Sequence, residues 1–170
     1  MRFFAALIVF GVCSYAGFAK AKAVKRRLGV VEGFLLDIKQ LSILMQYKMA
    51  PIRELVRQLE GSVLKEFWEA LLLQMEKTGS LSDAWQEALE QTRKNGGDFF
   101  YLGDAEARVI SDFGAMLGTS DFPSQKANTE MALERLCVQA EMLRREVSQK
   151  GKVYRSLGML GGLAAAIVIW

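Results

Sequence analysis

The chain is 170 residues long, enough for one ordinary domain, with 51% apolar residues, a formal net charge of +3 and a mean hydropathy of +0.13. It has no histidine and two cysteines, Cys13 and Cys137, which excludes histidine-based triads, Cys/His zinc sites and a disulfide scaffold. No Gly-Lys-Ser or Gly-Lys-Thr occurs, so a Walker phosphate loop is absent and nucleotide hydrolysis by this chain is not expected.

Met1 to Ala19 carries one charge, Arg2, and Phe3 to Ala19 is an uncharged run of 17 residues, the lower edge of the ~17–25 that span a bilayer. Lys20, Lys22, Lys25, Arg26 and Arg27 come directly after it. Residues 1–22 are therefore read as an N-terminal transmembrane helix with its basic flank. A cleaved signal peptide is the competing reading, from the early basic residue, the apolar core and the small residues near Gly17 and Ala19. The five basic residues next to the run oppose export of the segment beyond them.

From Val24 to about Met49, the residues Val31, Phe34, Leu35, Ile38, Leu41 and Met45 recur three or four apart, the period of an amphipathic helix. Gly29 and Gly33 weaken its start and mark a bend or a close helix contact. Pro51 suits the first position of a second helix, Glu54 is favoured in its first turn by the helix dipole, and Gly61 ends it. Leu64, Phe67, Trp68, Leu71, Leu72 and Met75 predict a third helix, closed by Gly79. Ser80 and Asp83 look like a capping box opening a fourth, with Leu81, Trp85 and Leu89 on its buried face. Asn95-Gly96-Gly97-Asp98 signals a loop. A fifth helix, from about Asp104 to Leu117, would bury Ala105, Val109, Phe113, Met116 and Leu117 before Gly118 stops it. Phe67, Trp68, Trp85, Phe99, Phe100 and Tyr101 read as core and loop anchors, because the acidic body around them disfavours nucleic acid.

Pro123 presets the first turn of a long final helix, in which Leu133, Leu136, Ala140, Leu143 and Val147 share one face. Cys137 is expected to pack on the apolar side of that helix. After Lys150, Lys152 and Arg155 the character changes: Ser156 to Trp170 is a run of 15 residues without a charge. Residues 153–170 are read as a C-terminal transmembrane helix, short enough to need snorkelling by Arg155 or local thinning of the bilayer. Gly158 and Gly162 stand four apart, the spacing that lets membrane helices touch closely, here against the first span or a second copy of the chain.

Charge placement says more than net charge. Residues 28–143 carry 11 basic and 18 acidic side chains, so an acidic body lies between two basic ends. The positive-inside rule then puts both termini outside and residues 23–152 in the cytoplasm, with membrane lipids holding the basic flanks. Glu54, Glu87 and Glu90 are the candidate docking residues for a basic partner, against the plainer reading of a solvated face. Paired carboxylates such as Glu87 and Glu90 also raise acid–base work or a metal, but no polar pocket motif accompanies them. No catalytic, cofactor-binding or metal-ligating residue is assigned. Period-two alternation is absent, so the fold class is all-α: a six-helix antiparallel bundle flanked by N- and C-terminal transmembrane helices.

Phe113, Gly114, Leu117, Gly118, Asp121 and Gln125 form the pattern Phe-Gly-x-x-Leu-Gly-x-x-Asp-x-x-x-Gln. This segment resembles the stage III sporulation protein AB family. Tyr47 with Pro51, Ile52 and Glu54, the Ala84-Trp85 pair, and Ser156-Leu157-Gly158 support the resemblance, which covers the whole chain. Positions within 61–80 and 94–104 are not matched, and no role is carried onto them. The resemblance implies a soluble part similar to the cytoplasmic helical domain of the type II secretion platform protein F. It further implies a place in the mother-cell membrane facing the forespore during engulfment, beside a secretion-type ATPase and ring-forming channel components. The expected function is thus a non-enzymatic membrane platform that docks the ATPase. A membrane-tethered regulatory or adaptor domain without a channel is the alternative, and cleavage of the first run would make the chain an exported helical binding protein. The motif itself has a purely structural reading, in which Gly114 and Gly118 permit tight packing and a left-handed stop while Asp121 and Gln125 satisfy the turn and helix start.

Overall fold

The structure is a computed structural model and describes residues 2–48, 50–59, 61–118 and 122–169, with the side chains of these except 2–11, 13, 14, 122, 123, 150–155, 157–159 and 161–169. Among the described residues all regular structure is helical and no strand occurs. The helices are α1 (Arg2–Tyr47), α2 (Ile52–Arg57), α3 (Lys65–Lys77), α4 (Leu81–Asn95), α5 (Asp104–Met116) and α6 (Phe122–Ile169), with a 3-10 turn at Phe99–Tyr101 ahead of α5. The chain divides into two compact units, Met1–Arg26 with Met142–Trp170, and Arg27–Glu141.

The first unit is built from the N-terminal part of α1 and the C-terminal part of α6. Of its described apolar side chains, Val12, Tyr15, Phe18, Met142 and Leu160 are exposed and Leu143 is buried. The two expected membrane spans fall largely outside the described side chains, as do the environments of Gly158 and Gly162. Among the described residues no helix is long and apolar enough to cross a membrane.

The second unit holds the core. Its α1 segment buries Val30, Val31, Phe34, Ile38 and Leu41, the face expected from the three-four spacing, while Leu35 and Met45 are only half-buried at its edge. Gly33 provides the close contact, since a Cβ there would stand 2.9 Å from Leu64 Cγ; Gly29 faces open space. Pro51 differs from expectation by one position: with ψ 141° it is the extended cap before α2, so Ile52 is the first helical residue. The helix is also short, ending at Arg57, because the chain turns to insert Leu59 and Leu64 into the core before α3 begins. Ser80 caps α4 as predicted, its hydroxyl accepting from the Asp83 amide at 3.3 Å.

Six rings from α1, α3, α4, α5 and the 3-10 turn meet in the centre. Phe67 lies 5.1 Å from Phe34, 5.0 Å from Trp68 and 5.0 Å from Trp85, all edge to face. Phe113 meets Trp85 at 5.5 Å, and Phe99 lies 6.0 Å from Phe34. Such edge-on pairs each add roughly 0.5–1.5 kcal/mol beyond simple burial. Phe100 does not join them: it is exposed and touches Tyr101 instead, because the short 3-10 turn can direct only Phe99 inward.

The α5 face is rotated from expectation, whereas the α6 face is largely as expected, with Leu136, Ala140 and Leu143 buried and Leu133 and Val147 half-buried. On α5 the buried residues are Glu106, Ala107, Ile110, Phe113, Gly114 and Leu117, whereas Ala105 and Met116 are exposed and Val109 half-buried. The helix turns because Glu106 has an arginine to meet and Gly114 leaves room for an indole. On α6 the buried line is Thr129, Ala132, Leu136, Ala140 and Leu143, and Cys137, one residue beyond Leu136, points outward rather than into the apolar side. One residue is ~100° of helical rotation, enough to carry a side chain off the buried stripe.

Candidate functional site

The family-motif residues divide into two groups. Phe113, Gly114 and Leu117 are buried in the core. A Cβ on Gly114 would overlap the Trp85 ring at Cγ, Cδ1 and Nε1, so the indole lies directly on the helix backbone. There its N–H donates to the Ile110 carbonyl at 3.0 Å, satisfying the polar atom of an otherwise fully buried side chain. Gly118 ends α5 with φ +79°, the left-handed conformation expected of a stop glycine. Asp121 lies outside the described residues.

Gly118 and Gln125 reach the surface together. They line a cleft of about 230 Å³ whose remaining walls include Met45 and Lys48 from the end of α1, and Ile52 and Leu55 from α2. Gln125 also carries its backbone carbonyl to the Thr129 hydroxyl at 2.7 Å, which satisfies a buried threonine inside α6. The motif is therefore a core half, which sets how α5 meets α4, joined to a surface half at the turn between α5 and α6.

The three docking candidates are all exposed but do not form one cluster. Glu54 lies on α2, whereas Glu87 and Glu90 lie three apart on α4, and α3 packs against both of these helices. Lys94 donates to Glu90 at 2.8 Å, and this hydrogen bond and charge hold the Glu90 carboxyl below its ordinary range and push the Lys94 ammonium up. Glu90 also borders a groove of about 340 Å³ between α4 and α5, with Arg93, Asp104, Arg108 and Asp112. Arg93 spans its end, donating to Asp104 at 3.1 Å and to the Leu102 carbonyl at 3.3 Å. The acidic face is thus interleaved with cations. Among the described residues no group of three or more acidic or cysteine side chains is arranged to hold a metal.

Two buried carboxylates escape a reading by charge. Asp37 of α1 accepts from the Trp68 indole N–H at 2.6 Å and from the Ser62 hydroxyl at 2.6 Å, and Ser62 Oγ in turn accepts from the Leu64 amide. Glu106 accepts from Arg27 through both carboxylate oxygens, at 2.7 and 2.9 Å. Arg27, expected as part of the membrane flank, is thereby a structural residue of the second unit, and Gly103 leaves the space its guanidinium occupies. Both acids sit on apolar stripes, Asp37 three residues from Phe34 and Glu106 four from Ile110, and that placement is the signal that could have identified them.

The family model described as stage III sporulation protein AB matches residues 2–170, nearly the whole chain. The chain belongs to that family. The stage III sporulation protein AB of Bacillus subtilis (strain 168) is 25% identical over 173 residues, covering 99% of each chain. A solved structure of stage III sporulation protein AB superposes with a TM-score of 0.60 at 20% identity, over 72% of this chain and 96% of that one, a likeness of fold. The expected resemblance to this family is borne out, and membership of the stage III sporulation protein AB family makes this a sporulation protein.

Proposed function

We propose that this chain is a non-enzymatic membrane platform of the sporulation complex between mother cell and forespore. In this reading Phe3–Ala19 and Ser156–Trp170 are anchors with both termini outside, packing through Gly158 and Gly162, and the helical second unit lies in the mother-cell cytoplasm. It docks a secretion-type ATPase through Glu54, Glu87 and Glu90 and assembles with ring-forming channel components. The observation that carries the proposal is the end-to-end family match, which takes in both apolar runs as well as the bundle. Charge supports the orientation, since the residues bordering both runs are basic. No catalytic step is needed: rigid helices with an outward charged face suit recognition.

Crosslinking in sporulating cells, with capture from the membrane fraction, tests it. A Walker-bearing ATPase and ring components should dominate the products. Capture of one soluble regulator in their place would instead support a tethered adaptor. Topology has its own assay: in a chain with Cys13 and Cys137 changed to serine, an Asn95→Cys variant should resist an impermeant thiol reagent in unbroken cells and react after lysis, and labelling before lysis would overturn the orientation.

A further inference from the structure

The two units differ sharply in charge. The first holds ten basic residues and one acidic residue, Glu146, against twelve and eighteen in the second. Within α1 the described side chains of the first unit are also sorted by position. Val12, Tyr15 and Phe18 are exposed apolar residues, and Lys20, Lys22 and Lys25 come after them as exposed cations on the same helix. With ~1.5 Å of rise per residue, Phe18 to Lys25 covers roughly 10 Å. A headgroup layer is ~5–7 Å deep on each side of the hydrocarbon, and screening at physiological salt limits electrostatic reach to about 8 Å beyond the surface charge. Aromatic rings at the hydrocarbon edge, with lysines about half a turn to two turns beyond, match that profile. The α6 part of the unit is similarly marked: Arg144 and Arg145 are exposed, and Lys150, Lys152 and Arg155 precede its apolar run.

We infer that the first unit is a selective binding site for anionic phospholipid, with Tyr15 and Phe18 at the hydrocarbon boundary and Lys20, Lys22 and Lys25 on the headgroup phosphates. The inference rests on the membrane-anchored reading above and adds a ligand class to it. A neutral zwitterionic bilayer would satisfy the apolar residues equally well but would offer the exposed Lys20, Lys22 and Lys25 no net negative surface. Attraction of a lysine to an anionic leaflet amounts to on the order of fivefold in local lipid preference at moderate salt. The second unit, with its excess of acidic groups, gains nothing from the same surface.

The test uses the full chain reconstituted into phosphatidylcholine vesicles that contain a minor fraction of spin-labelled phosphatidylglycerol or spin-labelled phosphatidylcholine. The protein-bound fraction of the phosphatidylglycerol label should exceed that of the phosphatidylcholine label by roughly fivefold. It should drop clearly in the K20Q, K22Q, K25Q triple variant, which keeps the unit's other seven cations, and fall toward equality in molar salt, whereas K65Q on α3 should leave it unchanged. Equal association of the two labels with the unmodified chain, in protein that resists alkaline extraction from the vesicles, would overturn the lipid site and leave the anchors standing. Release of the chain by alkaline extraction would overturn the anchored reading and the lipid site with it. Preference retained in full by the triple variant would remove these lysines from the site.

Discussion

Replacing Gly114 by alanine isolates the contact on which the α4–α5 packing rests. The new methyl would sit inside the Trp85 ring, and a relaxed methyl–ring separation is ~3.5–4.0 Å, so the indole must withdraw by more than about 1 Å. It has nowhere to go, since Phe67, Trp68 and Phe113 enclose it at 5.0, 5.7 and 5.5 Å between ring centres. Withdrawal also strains the 3.0 Å bond from its N–H to Ile110, and overpacking together with a lost buried hydrogen bond costs about 2–6 kcal/mol. Alanine's better helix propensity returns about 1 kcal/mol, leaving a net loss near 3 kcal/mol. The opposite result is expected for Gly29→Ala in the same protein, because nothing lies within 4 Å of that Cβ: a gain of up to about 1 kcal/mol. Urea unfolding of the full chain in mild detergent, monitored by tryptophan fluorescence, measures both. If Gly114→Ala unfolds within about 1 kcal/mol of the parent, the indole is not held against this backbone and the reasoning fails.

Other substitutions address the buried polar contacts and the docking face. Asp37→Ala strands the Trp68 N–H and the Ser62 hydroxyl, and should destabilise by about 2–4 kcal/mol in the same unfolding assay. Arg27→Met leaves the Glu106 carboxylate buried without its cation, and a loss of about 3 kcal/mol is expected, tempered by the partial exposure of the arginine. Gly118→Ala forces a side chain into φ +79° and should cost about 1 kcal/mol, read as a small shift in the urea midpoint. Neutralising Glu54, Glu87 and Glu90 to glutamine should abolish ATPase crosslinking in sporulating cells while shifting the unfolding midpoint little, because all three are exposed and only the weak surface pair with Lys94 is lost.

Helix order was legible because its signals are local. The three-four spacing of Val31, Phe34, Ile38 and Leu41, the Ser80 cap and the Gly96-Gly97 break each lie within a few residues of the feature they determine. Contacts between residues far apart in the chain escaped. Arg27 and Glu106 are separated by 79 positions, and Asp37 and Trp68 by 31, so neither member of a pair announces the other. A reading that places every charge in water turned α5 by the wrong amount and assigned Arg27 to the membrane flank. The same reading could not distinguish Phe99, which the 3-10 turn directs inward, from its exposed neighbour Phe100.

The candidate docking face shows the same limit at the surface. Counting acidic residues selects Glu54, Glu87 and Glu90 equally, but their neighbours differ. Glu90 is already hydrogen-bonded to Lys94 and shares its groove with Arg93 and Arg108, so a basic partner must compete with intramolecular cations there. Exposed pairs of this kind are screened by water and weak enough to exchange for an incoming arginine that binds in bidentate geometry. A partner using this face would therefore be expected to bring arginine rather than lysine to α4 and to lose affinity steeply with salt. Substituting Lys94→Gln frees Glu90 without altering the helix backbone, so crosslinking to the ATPase should rise. If it falls instead, Lys94 belongs to the contact and the recognition is not acidic.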